Sequence, residues 1–225
     1  MKRAYGLDIP VSLEDACNPA RTALLIYDMQ VGIVPQIPTG REITAQVTRV
    51  LAAARAGGYR VYFTRHLTLP NALAGVSQLR TAMAWQRVDD PTHIVPRFVR
   101  DSPAWHIVPE LAPTMDEAVF DKLAMSAFEG TPIDFALRDC HIDSFVIVGI
   151  ALEIGIEPTV RHATDLGYIP IVVRDGCGYR DLAAAERAYA GFAFAGDALV
   201  TDVETIARHM RSAGGRTGGG SGDGG

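Results

Sequence analysis

The stretch SFVIVGIALEIGIEPTVRHATDLGYIPIVVR, residues 144–174, contains two apolar runs separated by a helical pattern. The runs SFVIVG (144–149) and IPIVVR (169–174) are too short for a buried helix, so each is predicted to be a buried strand. Between them, residues 158–166 are predicted to form a helix that ends at Gly167. A strand, a helix and another apolar strand in succession are typical of a parallel sheet, because parallel strands need a long crossover connection.

The same alternation extends in both directions along the chain. Apolar rather than alternating strands indicate a sheet that is covered on both faces by helices. The fold class predicted from the sequence is therefore α/β, with a parallel sheet between two layers of helices. The remaining predicted strands are residues 22–28 (TALLIYD), 60–64 (RVYFT), 117–121 (EAVFD) and 198–201, and the remaining helices are residues 43–56, 182–195 and 202–211.

The length of 225 residues favours a single domain. We expect an N-terminal extension at residues 1–21, one folded domain at residues 22–211, and a glycine-rich disordered tail at residues 212–225. The segment 67–116 after the second strand of the domain contains six prolines and both tryptophans. A connection of this length in a compact domain is usually functional, so it is predicted to be a lid, with a helix near residues 78–87.

Composition excludes several classes of protein. With 21 basic and 26 acidic residues the formal net charge is −5, which argues against a nucleic-acid binder and against a polybasic membrane contact. The first residues carry no apolar signal segment, and no apolar run is long enough to span a bilayer. Cys17, Cys140 and Cys177 form neither a disulfide framework nor a zinc-binding pattern. These observations predict a soluble, cytoplasmic protein with no membrane partner and no nucleic-acid partner.

Two charged residues stand at predicted strand ends, where ligands bind in parallel α/β sheets. Asp28 follows the strand at residues 22–28, where partial desolvation suits acid–base work, although a plain turn aspartate fits as well. Lys122 follows the strand at residues 117–121, and apart from Lys2 it is the only lysine, since 19 of the 21 basic residues are arginine. A lysine beside Asp28 would tune its proton affinity, whereas chance would give an ordinary lysine at a sheet edge.

The turn GIALEIG at residues 149–155 lies between a predicted strand and a predicted helix. Its glycines allow close approach of the backbone to a ligand, and free N–H groups at a helix start can hold an oxyanion. Glu153 is a second carboxylate at this edge of the sheet. It is either a functional group or an acid favoured at a helix start by the helix dipole.

Three motifs, ALLIYDMQ, DKLAMSAFEGTPID and VIVGIALEIGIEPTVRHATDLGYIPIVVRDGCG, resemble the isochorismatase-like hydrolase superfamily, whose members share the cysteine hydrolase fold. The resemblance runs from about residue 22 to about residue 211. It implies a six-stranded parallel sheet in the order 3-2-1-4-5-6, a homodimer or homotetramer, and hydrolysis of a small-molecule substrate. It also implies an active site of one Asp, one Lys and one Cys. Asp28 and Lys122 match the first two, but Gly155 stands where the cysteine belongs, and none of the three cysteines matches by position.

Isochorismatases proper are similar in carrying glycine at that position. They cleave a vinyl ether with the aspartate as general acid, so the resemblance implies this role for Asp28. It also implies substrate contacts from His66 and Arg80.

The chain departs from these isochorismatases in one motif, since they have a pattern like GVYAHxG where this sequence reads GIALEIG. Ala151 therefore replaces an aromatic residue, and Glu153, which could activate a water, replaces a histidine. Ile150 and Ala151 are expected to line the substrate site and to be joined by a cis peptide bond. The metal-binding pattern of nicotinamidases is not matched, so neither a metal nor another cofactor is predicted.

Three hypotheses for function remain open at this point. The first is a cysteine-independent hydrolase of a small polar metabolite that cleaves a vinyl ether or a related C–O or C–N bond. The second is an amidase-like enzyme with another nucleophile, or one whose cysteine has been replaced by Gly155. The third is a non-catalytic small-molecule-binding member of the superfamily.

Overall fold

The computed structural model describes residues 1–217. Six of its strands form one sheet in which every neighbouring pair is parallel. In chain order the strands are β1 (Lys2–Ala4), β2 (Leu7–Ile9), β3 (Thr22–Tyr27), β4 (Arg60–His66), β5 (Ala118–Lys122), β6 (Ser144–Ile150), β7 (Ile169–Gly178) and β8 (Leu199–Thr201). The helices are α1 (Leu13–Ala16), α2 (Gly40–Ala56), α3 (Val76–Gln86), α4 (Ile133–Asp139), α5 (Glu157–Asp165), α6 (Leu182–Ala195) and α7 (Val203–Thr217).

The strand order is β5-β4-β3-β6-β7-β8. Numbered within the sheet this is 3-2-1-4-5-6, so the expected fold class and topology are confirmed. The order reverses between β3 and β6, which is the switch point where such sheets bind ligands. Register places Tyr27 beside Gly149 across this pair, and His66 beside Lys122 between β4 and β5. The residues that end these strands therefore lie at one edge of the sheet.

Apolar residues on both faces of β3 explain why the sheet is covered on both sides. Successive strand residues point to opposite faces. Leu24 and Ile26 accordingly pack into the core beneath α2 and α7. Leu25 and Tyr27 pack into the other core, to which α4, α5 and α6 contribute buried residues.

Secondary structure extends beyond the predicted domain of residues 22–211 at both ends. The expected extension 1–21 contains an antiparallel hairpin, β1–β2, followed by α1, and it buries Ala16 and Cys17 in the core. Helix α7 runs past the predicted domain end at residue 211, because it is amphipathic and buries Ala213 as well. Residues 218–225 of the expected disordered tail lie outside the described residues.

The segment 67–116 has two parts. Helix α3 covers the helix expected near residues 78–87, and none of its residues is buried. The later part packs into the protein through buried side chains that include Phe98, Trp105 and Leu111. The α3 part therefore packs less tightly on the protein than the later part, and its role as a lid stays a prediction. No helix within residues 1–217 has the length and apolar character to cross a membrane.

Candidate active site

A buried ion pair lies at the carboxyl edge of the sheet. The Lys122 Nζ atom is 2.7 Å from Oδ2 of Asp28, and the two residues are only 2% and 4% exposed. The hydroxyl of Thr64 donates to the other carboxylate oxygen of Asp28 at 2.8 Å. Each oxygen of the carboxylate therefore has a fixed partner, which satisfies the requirement for burying a charge.

Lys122 is held by three groups. Besides Asp28, its ammonium donates to the carbonyl of Ala124 at 3.2 Å and lies 4.3 Å from the centre of the Tyr27 ring. Burial lowers the pKa of Lys122, and the neighbouring Asp28 carboxylate partly opposes that effect. The lysine is thus a desolvated cation that depends on Asp28 for its charge.

Backbone geometry after β6 brings Gly155 to the same place. The peptide between Ile150 and Ala151 is cis, as expected, and a short π-helical turn, Leu152–Ile156, leads into α5. Gly149 has φ +130°, and a Cβ on it would lie 2.8 Å from the backbone nitrogen of Tyr27, so glycine is required where β6 passes β3. Gly155 itself is buried.

A cavity of about 90 Å³ opens above this turn. An adjoining cleft of about 370 Å³ runs under α3 and shares part of the cavity wall. The cavity is lined by Asp28, Tyr27, His66, Ile150, Ala151, Gly155 and Arg180, together with Ile33, Gln36, Ile37, Trp85, Phe98, Met125 and Ile154. The expected residues Asp28, His66, Ile150, Ala151 and Gly155 therefore meet around one cavity, and Lys122 lies directly behind Asp28.

His66 lies in the wall that the cavity and the cleft share. Burial, together with the nearby Lys122 cation, lowers the pKa of His66 to about 4. Its Nδ1 atom is buried and has no hydrogen-bond partner among the described residues. At neutral pH the residue is therefore an uncharged imidazole with one unused ring nitrogen, which suits a hydrogen bond to a ligand better than an ion pair.

Arg80 lines neither the cavity nor the cleft in this structure, so its expected contact with a substrate carboxylate stays a prediction. Helix α3 faces the cleft with Gln78, Thr81, Ala82 and Trp85. These positions are three, four and seven residues apart and share one helical face. Arg80 lies off that face and is exposed.

Glu153 also lies outside the cavity wall. One of its carboxylate oxygens accepts hydrogen bonds from the backbone N–H groups of Arg180 and Asp181, at 2.8 and 2.9 Å. This oxygen fixes the loop that leads into α6. The other oxygen, Oε2, is buried and has no hydrogen-bond partner among the described residues, so the role of Glu153 in activating a water stays a prediction.

Arg180 is a site residue that the sequence reasoning missed. It lines both the cavity and the cleft, and within residues 1–217 no ion pair of its guanidinium is found. Its position two residues beyond the end of β7, at the carboxyl edge, was the available signal. This strand is predicted to end at residue 174, whereas β7 runs to Gly178, so the true strand end lies four residues closer to Arg180.

The cysteines lie elsewhere. Cys177 is a fully buried residue of β7 that pairs with Gly149 of β6, and this burial raises the pKa of its thiol well above the usual range. Cys17 lies beside the Tyr59 hydroxyl at 3.3 Å, and Cys140 is half-buried at the end of α4. None of the three lines the cavity, so no thiol faces Asp28.

Comparison with known proteins agrees with this fold. Residues 22–205 match the model of the Isochorismatase domain. The chain is 31% identical over 163 residues to the uncharacterized isochorismatase family protein YecD of Escherichia coli O157:H7, covering 71% of this chain and 81% of YecD. It is 26% identical over 206 residues to the ureidoacrylate amidohydrolase RutB of Serratia proteamaculans (strain 568), covering 85% and 79% of the two chains.

A solved structure extends the likeness to three dimensions. The crystal structure of a cysteine hydrolase from Pseudomonas syringae pv. phaseolicola 1448A superposes with a TM-score of 0.74 at 25% identity, covering 88% of this chain and 96% of that one. The expected family is therefore confirmed by sequence and by fold. The chain belongs to the isochorismatase family of hydrolases.

Proposed function

We propose that this chain hydrolyses a small anionic metabolite without a thiol nucleophile, using Asp28 as general acid and base and Lys122 as its electrostatic partner. The observation that carries the proposal is the buried contact of 2.7 Å between Lys122 and Asp28 at the wall of a cavity that no cysteine reaches. A vinyl ether is the bond type that this arrangement suits best.

The reaction needs one proton to leave the Asp28–Lys122 pair and one to return. Asp28 is a carboxylate in the resting ion pair, so it first takes up a proton from solvent. In that protonated state it transfers the proton to the terminal vinyl carbon, which makes the ether carbon an oxocarbenium ion. Water adds to that carbon, and the Asp28 carboxylate takes the proton that this water releases. The hemiketal then collapses to a carbonyl compound and an alcohol. Lys122 stabilises the carboxylate in the middle of this sequence, when Asp28 has lost its proton.

The volumes of the cavity and the cleft indicate which part of a substrate each would hold. An apolar cavity of 150 Å³ holds one benzene molecule, so about 90 Å³ takes about four non-hydrogen atoms. The reacting group therefore enters the cavity beside Asp28. The rest of the molecule occupies the larger cleft under α3, against Trp85 and Phe98.

Two polar groups set the substrate class. Arg180 lines both the cavity and the cleft, and a guanidinium suits bidentate binding of a carboxylate. The unused Nδ1 of His66 supplies a neutral hydrogen bond in the same wall. A compact metabolite with a carboxylate and an enol-ether group fits both.

Hydrolysis of a C–N bond by the same two residues is the second candidate. It is favoured by the similarity to RutB, which is named as a ureidoacrylate amidohydrolase. Such a reaction here would need water as the attacking group, since no thiol faces the cavity. The homo-oligomeric state and the cytoplasmic location stay predictions.

The test is product release from a panel of carboxylated vinyl ethers and matched ureides by the purified protein. We expect turnover of a vinyl ether that falls about a thousandfold in Asp28→Asn and in Lys122→Ala, each checked for folding. Turnover that survives both substitutions would overturn the proposal. Turnover of ureides alone would favour the second candidate.

A further inference from the structure

Tyr27 takes up the space that a side chain at position 155 would need. A Cβ built on Gly155 would lie 2.6 Å from the ring carbon Cε1 of Tyr27 and closer still to its hydroxyl oxygen. Contacts this short do not occur in real structures, so Tyr27 would have to move. Glycine at 155 therefore matches tyrosine at 27, and a cysteine introduced at 155 alone would require the Tyr27 side chain to shift.

Tyr27 is not free to move aside. Its side chain is 2% exposed and packs in the core above α5. Its hydroxyl donates a hydrogen bond to the carbonyl of Met125, and burial raises the pKa of the phenol well above its usual range. It is thus a neutral, anchored phenol, and its displacement would leave a buried hydroxyl without its partner.

The ring of Tyr27 also contacts the ion pair. Lys122 Nζ lies over the ring at 4.3 Å from its centre, within the range of a cation–π interaction. Such an interaction is stronger when the cation is desolvated, as Lys122 is. The ring therefore favours the charged form of Lys122, in addition to the Asp28 carboxylate.

We propose that Tyr27, rather than Gly155, occupies the third position of this site. It is a positioning residue with two effects. Its side chain fills the space that a nucleophilic side chain at position 155 would occupy. Its ring stabilises the protonated form of Lys122 that pairs with Asp28. The first effect is purely steric and stands apart from the proposed function. The second rests on that function.

The steric effect is tested by a double-substitution cycle that needs no substrate. In a Cys140→Ser background, which removes the half-buried thiol, we compare the parent, Tyr27→Val, Gly155→Cys and the double variant. The readouts are thermal midpoint and the rate at which a thiol reagent labels the native protein. Gly155→Cys alone should lower the midpoint by about 5 °C or more, because it overpacks the core.

The double variant should then regain at least half of the loss caused by Gly155→Cys, measured against Tyr27→Val, and should label faster than the single variant. The proposal is equally supported if the double variant is soluble while the single variant Gly155→Cys is insoluble. Additive midpoints, equal labelling rates, or failure of both cysteine variants to fold would overturn it.

The electrostatic effect is tested by Tyr27→Phe against Tyr27→Leu. Phenylalanine keeps the ring under Lys122. The pH at which kcat/KM falls on the alkaline side should therefore be the same as in the parent. Leucine removes the ring, and this fall should move to lower pH because Lys122 loses its proton more readily. If kcat/KM falls at the same alkaline pH in both variants, the electrostatic effect is overturned. If the parent turns over no substrate, the proposed function fails, whereas the labelling cycle still decides the steric effect.

Discussion

Lys122 reaches Asp28 across an intervening strand. Lys122 ends the edge strand β5 and Asp28 follows β3, with β4 between them, yet the two charged groups are 2.7 Å apart. Only a long side chain with a compact charge can cover this span while buried, which explains why a chain that otherwise uses arginine has lysine here. Thr64 on β4 holds the other side of the carboxylate.

Separating the two charges should cost stability as well as activity. Asp28→Asn or Lys122→Met each leaves one buried charge without its partner, and we expect a loss of about 3–5 kcal/mol in unfolding free energy. The double variant removes both charges and should recover most of that loss while staying inactive. Chemical denaturation measures the first quantity and product release the second. A double variant as unstable as the sum of the singles would contradict the pairing.

Acid should destabilise the protein partly through His66. The pKa of His66 is about 4 in the fold and 6.5 in the unfolded chain. Above pH 6.5 both states are neutral, and below pH 4 both are protonated. Between these values only the unfolded chain binds the proton, so stability falls as pH drops from 6.5 to 4, by about 3 kcal/mol at most.

The control for this pH dependence is His66→Gln, which cannot titrate. Unfolding free energies of both proteins, measured from pH 4 to 7, should show a steeper loss in the parent. Parallel curves would mean that His66 keeps an ordinary pKa.

Arg180 should be required for binding anionic ligands. In Arg180→Gln we expect the thermal shift caused by small carboxylates to need about tenfold more ligand, because one charge-assisted hydrogen-bond pair is lost at an exposed position. Arg80→Gln is the matched control, since that arginine is also exposed but lies off the cavity wall. Equal losses in both variants would point to a general effect of charge instead of a site.

Glu153 should matter for stability and not for chemistry. Glu153→Gln keeps an oxygen that can accept from the N–H groups of Arg180 and Asp181, so turnover should stay within about threefold of the parent. Unfolding free energy should fall by about 1 kcal/mol, because the acceptor loses its charge. A hundredfold loss of turnover in a stable variant would identify Glu153 as a catalytic base.

Hydropathy patterns were sufficient for the main sheet. In apolar runs such as TALLIYD, the side chains on both faces of the strand are buried. Burial on both faces is typical of a parallel sheet that lies between two layers of helices. The position of Asp28 and Lys122 followed because strand ends of a parallel sheet meet at one edge. The strand order, by contrast, came from the family resemblance.

Features that depend on tertiary packing could not be predicted in this way. The side of α3 that faces the cleft is set by packing, so the sequence does not show that Trp85 and its neighbours form the wall. The expectation for Arg80 rested on the family resemblance alone. The exposed hairpin β1–β2 has no apolar pattern to reveal it. The conflict between Tyr27 and position 155 joins residues on two elements that are far apart in the sequence, and only their distance shows it.

The central claim is that proton transfer by Asp28 suffices without a thiol. Its most direct test is turnover of one vinyl-ether substrate by two folded variants measured together, Asp28→Asn and the triple substitution Cys17→Ala, Cys140→Ser, Cys177→Ala. We predict a loss of about a thousandfold in the first variant and a parent-like rate in the second, since none of the three thiols lines the cavity. Loss of turnover in the cysteine-free variant, with activity kept in Asp28→Asn, would contradict the claim.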